Sequence, residues 1–334
     1  MTRVLVTGAS GFVGGALLRR LADDDNVETV AAIRNSSGRI PCADRIVAGC
    51  VLGNECTSSG WDDALRGVDV VVHCAARVHI MNDTATDPLD EFRRINVTGT
   101  LKLAELAAKA GVRRFVFVST VKVNGEATRP GEPFRETDTG ACQDDYGLSK
   151  SEAEAALRTL ADKTGMEVTI VRPPLVYGPG VKGNFKSLYR LATSGLPLPL
   201  GAINNLRSLI YIGNLSDFLA LLVHHPKAGN DVFLVSDGDD LSTTSLLRCF
   251  GQHSGKRVRL FYFPAVALFL LGRMLGRKSV VDRLCGSLQV SIEKAQQRLS
   301  WQPPFTVSEG IRSTVSELGK EDRSRNERER GNFD

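Results

Sequence analysis

Tyr146 and Lys150, four residues apart in "DYGLSK", are the pair with the most chemistry in this chain of 334 residues. A phenol titrates near 10, and each unit of depression toward neutrality needs about 1.4 kcal/mol of preferential stabilisation of the phenolate. A lysine ammonium one turn along supplies part of it, because positions i and i+4 share a helix face. Such a tyrosine can give a proton to a ketone oxygen as hydride arrives, or take one in reverse. The spacing alone arises by chance in roughly one such chain in four, so its meaning depends on whether a hydride carrier is brought to it.

A carrier site is written at the N-terminus. "VLVTGASGFVGG" places Gly8, Gly11 and Gly14 directly after an apolar run and across the start of a helical pattern that continues through Phe12 and Val13. Glycine there lets the backbone turn sharply and approach a pyrophosphate, while the helix N-terminus offers free N–H donors to the phosphates. A carboxylate some 20 residues on would hold a ribose 2′-hydroxyl, but "AAIRNSS" has Arg34 instead. A guanidinium suits a 2′-phosphate, so NADP is the expected cofactor and NAD the alternative.

Positioning these groups needs strands and helices in alternation, and the first half has them. Apolar runs at "RVLVT", "VETVAAI", "RIVAG", "VDVVVHCA", "RFVFVS" and "VTIVR" alternate with longer helical patterns. Val68 to Val72 is apolar nearly throughout, as expected of a strand covered on both faces. The rhythm predicts an α/β fold, a doubly wound parallel Rossmann sheet with a smaller, loop-rich C-terminal substrate lobe. We assign residues 1–173 to the dinucleotide domain, with returning segments about 205–238 that carry the strand candidates "SLIYI" and "DVFLVS". Residues 174–318 form the lobe. The tail 319–334 has almost no apolar side chains and reads as disordered.

Composition narrows the function. A net charge of +4 with interspersed signs carries no basic stripe, so nucleic acid is not an expected partner. Met1 runs straight into "RVLVTG" without the features of a secretory signal, which predicts a cytoplasmic protein. Seven cysteines without a C-x-x-C, and no histidine cluster, indicate neither disulfides nor a metal site. The apolar segment Leu260 to Leu275 is broken by Pro264 and Arg273 and is too short to span a membrane. A buried helix or a partner-binding face is the first reading, and peripheral membrane contact the alternative, since Arg273, Arg277 and Lys278 follow the apolar run.

The blocks "TGASGFVG", "VDVVVHCAA", "INVTGT", "FVFVSTVKVNGE", "YGLSK", "RPPLVYGPG", "RSLIYIGNLSDFL" and "LSWQPPFTVSEGI" occur in this order over about residues 3 to 318. In this the chain resembles the extended short-chain dehydrogenase/reductases, the family of nucleotide-sugar epimerases, dehydratases and reductases. The resemblance implies a catalytic trio of Thr120, Tyr146 and Lys150. It adds Cys74, Ala75, Ala76, Asn96 and Pro173 to the cofactor residues, with Asn96 bracing the active-site strand. It also implies substrate contacts from Asn184, Arg207 and, more weakly, Arg283, toward a UDP-sugar. His73 reads as a packed structural histidine and Tyr177 as lobe framework. Two positions depart from the family pattern: Cys50 stands where an aspartate usually meets the adenine, and Asp145 where proline is common.

The resemblance implies an oxidoreductase acting at C4 of a UDP-sugar. The later blocks and Arg34 point to reduction of a UDP-4-keto-6-deoxy-N-acetylhexosamine in surface polysaccharide biosynthesis. The alternative is a UDP-glucose or UDP-N-acetylglucosamine 4-epimerase. Lesser readings are a sterol-type alcohol dehydrogenase and a non-catalytic NADP-sensing module. Dimers built from helix pairs outside the sheet occur in the family, so a homodimer is a further expectation.

Overall fold

Valine-rich runs become the seven strands of one sheet: β1 (Thr2–Thr7), β2 (Val27–Ala32), β3 (Arg45–Val47), β4 (Val70–His73), β5 (Arg114–Val118), β6 (Glu167–Arg172) and β7 (Asp231–Leu234). All are parallel, in the order 7-6-5-4-1-2-3, with Thr7 paired to His73 where the order reverses between β1 and β4. This computed structural model describes all residues except 36–39, 41, 54–57, 79–86, 141, 143 and 332–334.

Successive side chains on a strand point to opposite faces, and helices cover both. Val4, Val6, Val70 and Val72 meet Leu17 and Leu18 of α1 (Phe12–Leu21) on one side. Leu5, Val71, Phe115 and Phe117 on the other side meet Leu103 of α2 (Thr100–Lys109) and Leu157 of α3 (Asp145–Thr164). The first face is completed by Leu215, Phe218 and Leu222 of α4 (Ile212–His224). The fold is the doubly wound α/β sheet expected.

A second core, with Tyr177, Phe185, Tyr189, Phe250 and Ile311, builds the C-terminal lobe. A helical hairpin, α5 (Ala265–Met274) and α6 (Lys278–Cys285), lies on it, and α7 (Val307–Gly331) closes the chain. Among the described residues no helix is long and apolar enough to cross a membrane.

Two expectations need correction. Of the two segments expected to return to the sheet, "DVFLVS" does so as β7 beside β6, while Leu209–Tyr211 pairs with Leu175–Tyr177 in a separate two-stranded sheet. The position next to β6 is occupied by β7, and α4 begins at Ile212, which ends the strand. The tail 319–334 reads as disordered, but α7 continues as helix to Gly331, and 332–334 lie outside the described residues. Ile311, Val315 and Leu318 anchor that helix in the lobe core, and ion pairs from Lys186 to Glu321 (2.5 Å) and Arg190 to Asp322 (3.3 Å) hold the following turn.

Candidate active site

The turn after β1 is built so that only glycine fits. Gly8 sits at φ +64°, and a Cβ there would lie 2.8 Å from the Ala75 nitrogen. A Cβ on Gly14 would lie 2.4 Å from the Gly8 carbonyl oxygen, and Gly11 N donates to that oxygen at 2.8 Å. Gly11 precedes α1 and has no side chain to cap it. The first N–H groups of α1, from Phe12, Val13 and Gly14, therefore keep their donors for an anion. Cys74, Ala75 and Ala76 line the neighbouring strand end, so the cradle lies at the switch point between β1 and β4 where such sheets bind ligands.

The Arg34 side chain is exposed beyond β2 and its guanidinium makes no ion pair or hydrogen bond among the described residues, while its carbonyl accepts from Gly49 N at 3.2 Å; its neighbours 36–39 lie outside them. Cys50 is buried, with its thiol toward the carbonyls of Val47 (3.6 Å) and Gly60 (3.7 Å). Burial pushes the Cys74 thiol up to about 12, so it stays protonated at neutral pH.

Thr120 leaves β5 and caps the short turn Val121–Val123, its Oγ1 accepting from Lys122 N at 3.3 Å. The carbonyl of buried Pro173 accepts from Val121 N at 3.0 Å, which ties this turn to the end of β6. α3 starts against the same turn: a Cβ on Gly147 would be 3.2 Å from the Lys122 Cβ. Asp144 caps α3 by accepting from Gly147 N at 2.7 Å and forms an ion pair with Lys122, leaving Asp145 exposed. Tyr146 is half-buried against Phe92, and Lys150 is 1% exposed with its ammonium 4.1 Å from the Phe117 ring centre. Thr120 thus follows the C-terminal end of β5, Lys150 lies over Phe117 of that strand with Cys74 beside it, and Tyr146 stands one turn earlier on α3.

Their electrostatics depart from expectation. The Tyr146 phenol is not depressed but pushed up to about 12, by burial first and by Asp144 second. The Lys150 ammonium rests over Phe117, and burial lowers its own pKa to about 7. Among the described residues neither the Tyr146 hydroxyl nor the Lys150 ammonium has a hydrogen-bond partner. A lysine only 1% exposed whose ammonium has no acceptor among the described residues, next to a cradle that a Cβ would fill, fits a dinucleotide whose ribose and phosphate oxygens would provide acceptors. Gly8, Gly11 and Gly14 with the α1 N-terminus would hold the phosphates, and Lys150 the ribose next to the nicotinamide.

His73 is fully buried between Thr7 Oγ1 (2.7 Å) and Thr100 Oγ1 (2.9 Å), and burial drives its pKa down to about 3, so it is neutral and structural. Asn96 lies in a π-helical turn, Arg93–Gly99, which widens the helix at that point. Its amide spans Arg77 N (2.8 Å), Arg77 O (3.1 Å) and Ser149 Oγ (3.0 Å), and Ser149 Oγ donates to Tyr146 O at 2.8 Å. Asn96 therefore braces the tyrosine's helix through Ser149, and its amide is spent within the protein.

The three substrate candidates fare differently. Arg207 is half-buried, donating from Nη1 to the carbonyls of Arg283 (3.0 Å) and Gly286 (3.1 Å), while Nε and Nη2 have no partner among the described residues. Burial lowers its pKa, a cost that an anion would relieve. Asn184 is exposed at the start of helix Gly183–Ala192. The Arg283 guanidinium turns back to Ser279 O at 3.0 Å, so its backbone, not its charge, meets Arg207. Tyr177 donates to Asp237 at 2.7 Å in the lobe core.

Sequence reading missed Glu154, one turn beyond Lys150. Its carboxylate is 2% exposed and accepts from Arg172 Nε (2.9 Å), Arg172 Nη2 (2.6 Å) and Ser119 Oγ (2.6 Å). Arg172 also donates to Asn124 Oδ1 at 3.1 Å, so one buried ion pair joins α3, β6 and the turn that carries Thr120. Its signal was present in the i+4 step from Lys150, which puts a carboxylate on the buried face.

Residues 4–236 match the family described as NAD dependent epimerase/dehydratase. A Vibrio cholerae protein named UDP-glucose 4-epimerase is 44% identical over 93% of this chain and 94% of its own length. The chain belongs to that family of enzymes. An Escherichia coli O157:H7 relative, N-acetyl-alpha-D-glucosaminyl-diphospho-ditrans,octacis-undecaprenol 4-epimerase, is 27% identical over 93% of this chain and 94% of that one. The fold matches the Thermotoga maritima UDP-glucose 4-epimerase solved with UDP-glucose, with a TM-score of 0.75 at 22% identity, covering 96% of this chain and 99% of that one.

Proposed function

We propose that this enzyme is an NAD-dependent 4-epimerase of a UDP-hexose or UDP-N-acetylhexosamine. The observation that carries the reading is end-to-end likeness at 44% identity to a protein named UDP-glucose 4-epimerase, together with an intact trio. The 4-keto reductase expected from the later sequence blocks has less support than this alternative. NAD suits the reading better than NADP, because an epimerase recycles one bound dinucleotide and need not exchange it. On this view Arg34 is a solvated strand-end residue.

A bound dinucleotide would supply the hydride acceptor and donor for C4 of the sugar. Tyr146 takes the proton of the C4 hydroxyl as the carbonyl forms and gives one back when the carbonyl is reduced from the opposite face. Thr120 donates a hydrogen bond to the same oxygen. With its phenol at about 12, Tyr146 rests protonated, and reaching the phenolate at neutral pH requires positive charge beyond that of Lys150. A bound nicotinamide ring in the oxidised state carries such a charge. Arg207 would receive the diphosphate through Nε and Nη2.

The test is interconversion of UDP-glucose with UDP-galactose, and of the N-acetyl pair, by purified protein without added reductant. We expect turnover, NAD released on denaturation, and a loss of about 10²- to 10⁴-fold in kcat for Tyr146→Phe. Stoichiometric consumption of NADPH with a 4-keto sugar nucleotide, and no interconversion, would restore the reductase.

A further inference from the structure

The helical hairpin α5–α6 and the chain leading into it carry more than half of the large hydrophobic side chains that the described residues leave exposed, although the protein's function as an enzyme gives that surface no role. Nine of the sixteen large hydrophobic side chains exposed among the described residues lie between Phe261 and Val280. Tyr262, Val266, Leu270 and Met274 recur every fourth residue, at 77%, 71%, 61% and 84% exposure, so they form one stripe along α5 and the chain leading into it. Only Leu268 and Gly272 of α5 are buried, and no residue of α6 is. The two helices nonetheless hold each other closely, since a Cβ on Gly272 would lie 2.5 Å from Val281 Cγ2. A closely packed hairpin is thus presented with its apolar side outward.

Charge decides what covers it. Between Lys256 and Arg283 there are seven lysines and arginines and one acid, Asp282, which pairs with Lys278 at 3.4 Å. Lys256, Arg257, Arg259, Arg273 and Arg277 are exposed around the stripe and make no ion pair among the described residues. A second copy of the chain docked face to face would bring these cations together without carboxylates to meet them. At about 15 Å for ten residues, α5 is too short to cross a bilayer, but it has the make-up of a helix that lies in one.

We propose that the α5–α6 hairpin docks the enzyme on the surface of an anionic phospholipid bilayer. The stripe enters the acyl boundary, and the flanking cations meet lipid phosphates. The hairpin's base is fastened to the lobe by Arg207, which donates to the carbonyls of Arg283 and Gly286, so the docked surface and the candidate diphosphate residue belong to one lobe.

The experiment is co-sedimentation of the full chain with vesicles of phosphatidylcholine, with and without phosphatidylglycerol. We expect binding only to the anionic vesicles, weakening as salt is raised. Joint replacement Arg273→Ala, Arg277→Ala and Lys278→Ala should weaken it about 100-fold, at the usual contribution of a cation near a charged bilayer. Leu270→Glu with Met274→Glu should abolish it, while sugar-nucleotide turnover in solution shows that the variant is folded. Equal binding to neutral vesicles, no binding to either, or retention by the Leu270→Glu, Met274→Glu protein overturns the proposal. A wild-type dimer that this variant converts to monomer would assign the face to a second copy instead.

Discussion

Replacing Lys150 with methionine should abolish turnover and yet stabilise the dinucleotide-free protein, by an amount that depends on pH. The lysine is 1% exposed, has no acceptor among the described residues, and is lowered from 10.5 to about 7, chiefly by burial. Its folded-state pKa lies below its unfolded value, so the unfolded chain binds more protons between about pH 7 and 10.5, and wild-type stability rises with pH across that window. At about 1.4 kcal/mol for each pH unit, the full cost of the buried charge has a ceiling of about 5 kcal/mol below pH 7. It shrinks to about 2 kcal/mol near pH 9 and vanishes above the unfolded value. Methionine has nearly the same reach and packs well against Phe117, so the substitution removes the charge without opening a cavity. Urea midpoints of both proteins, stripped of dinucleotide and measured at about pH 6 and about pH 9, should show a gain for Lys150→Met that is larger at the lower pH. Saturating NAD should narrow the gap, since it supplies the acceptors that the lysine lacks. A destabilised variant, or a gain equal at both values, refutes the assignment of Lys150 as a desolvated cation whose burial outweighs the attraction of Glu154.

Gly14→Ala should lose dinucleotide binding with little change in helix content, because its Cβ would sit 2.4 Å from the Gly8 carbonyl oxygen and force the turn open; fluorescence titration with the reduced dinucleotide reads this, and unchanged affinity would contradict the cradle. Glu154→Gln should destabilise by about 3 to 5 kcal/mol, as it leaves the Arg172 guanidinium buried and uncompensated. A thermal midpoint within a degree or two of wild type would show that the pair between α3 and β6 is dispensable.

Much of the dinucleotide domain was legible because its signals are local. Gly11 and Gly14 are demanded by contacts with the Gly8 carbonyl within one turn and Gly8 by its φ of +64°, and doubly covered strands announce themselves as unbroken apolar runs. Tyr146 and Lys150 could be paired because the helix fixes four-residue neighbours. Partners far apart in the chain could not be read, and there the expectations failed. Leu209–Tyr211 has the composition of a sheet strand, but the place beside β6 was taken by β7, a competition no window of sequence contains. The polar tail looked unable to fold until Ile311 and Val315 anchored the helix it prolongs.

The sequence by itself determined the fold class, the glycine cradle and which side chains could handle a proton. Only the tertiary structure decided their electrostatics: Lys150 was expected to acidify Tyr146, but packing set its ammonium over Phe117 and gave the buried carboxylate of Glu154 to Arg172. A side chain's chemical type is local, whereas its desolvation and its charged neighbours are sums over whatever distant segments the fold packs around it.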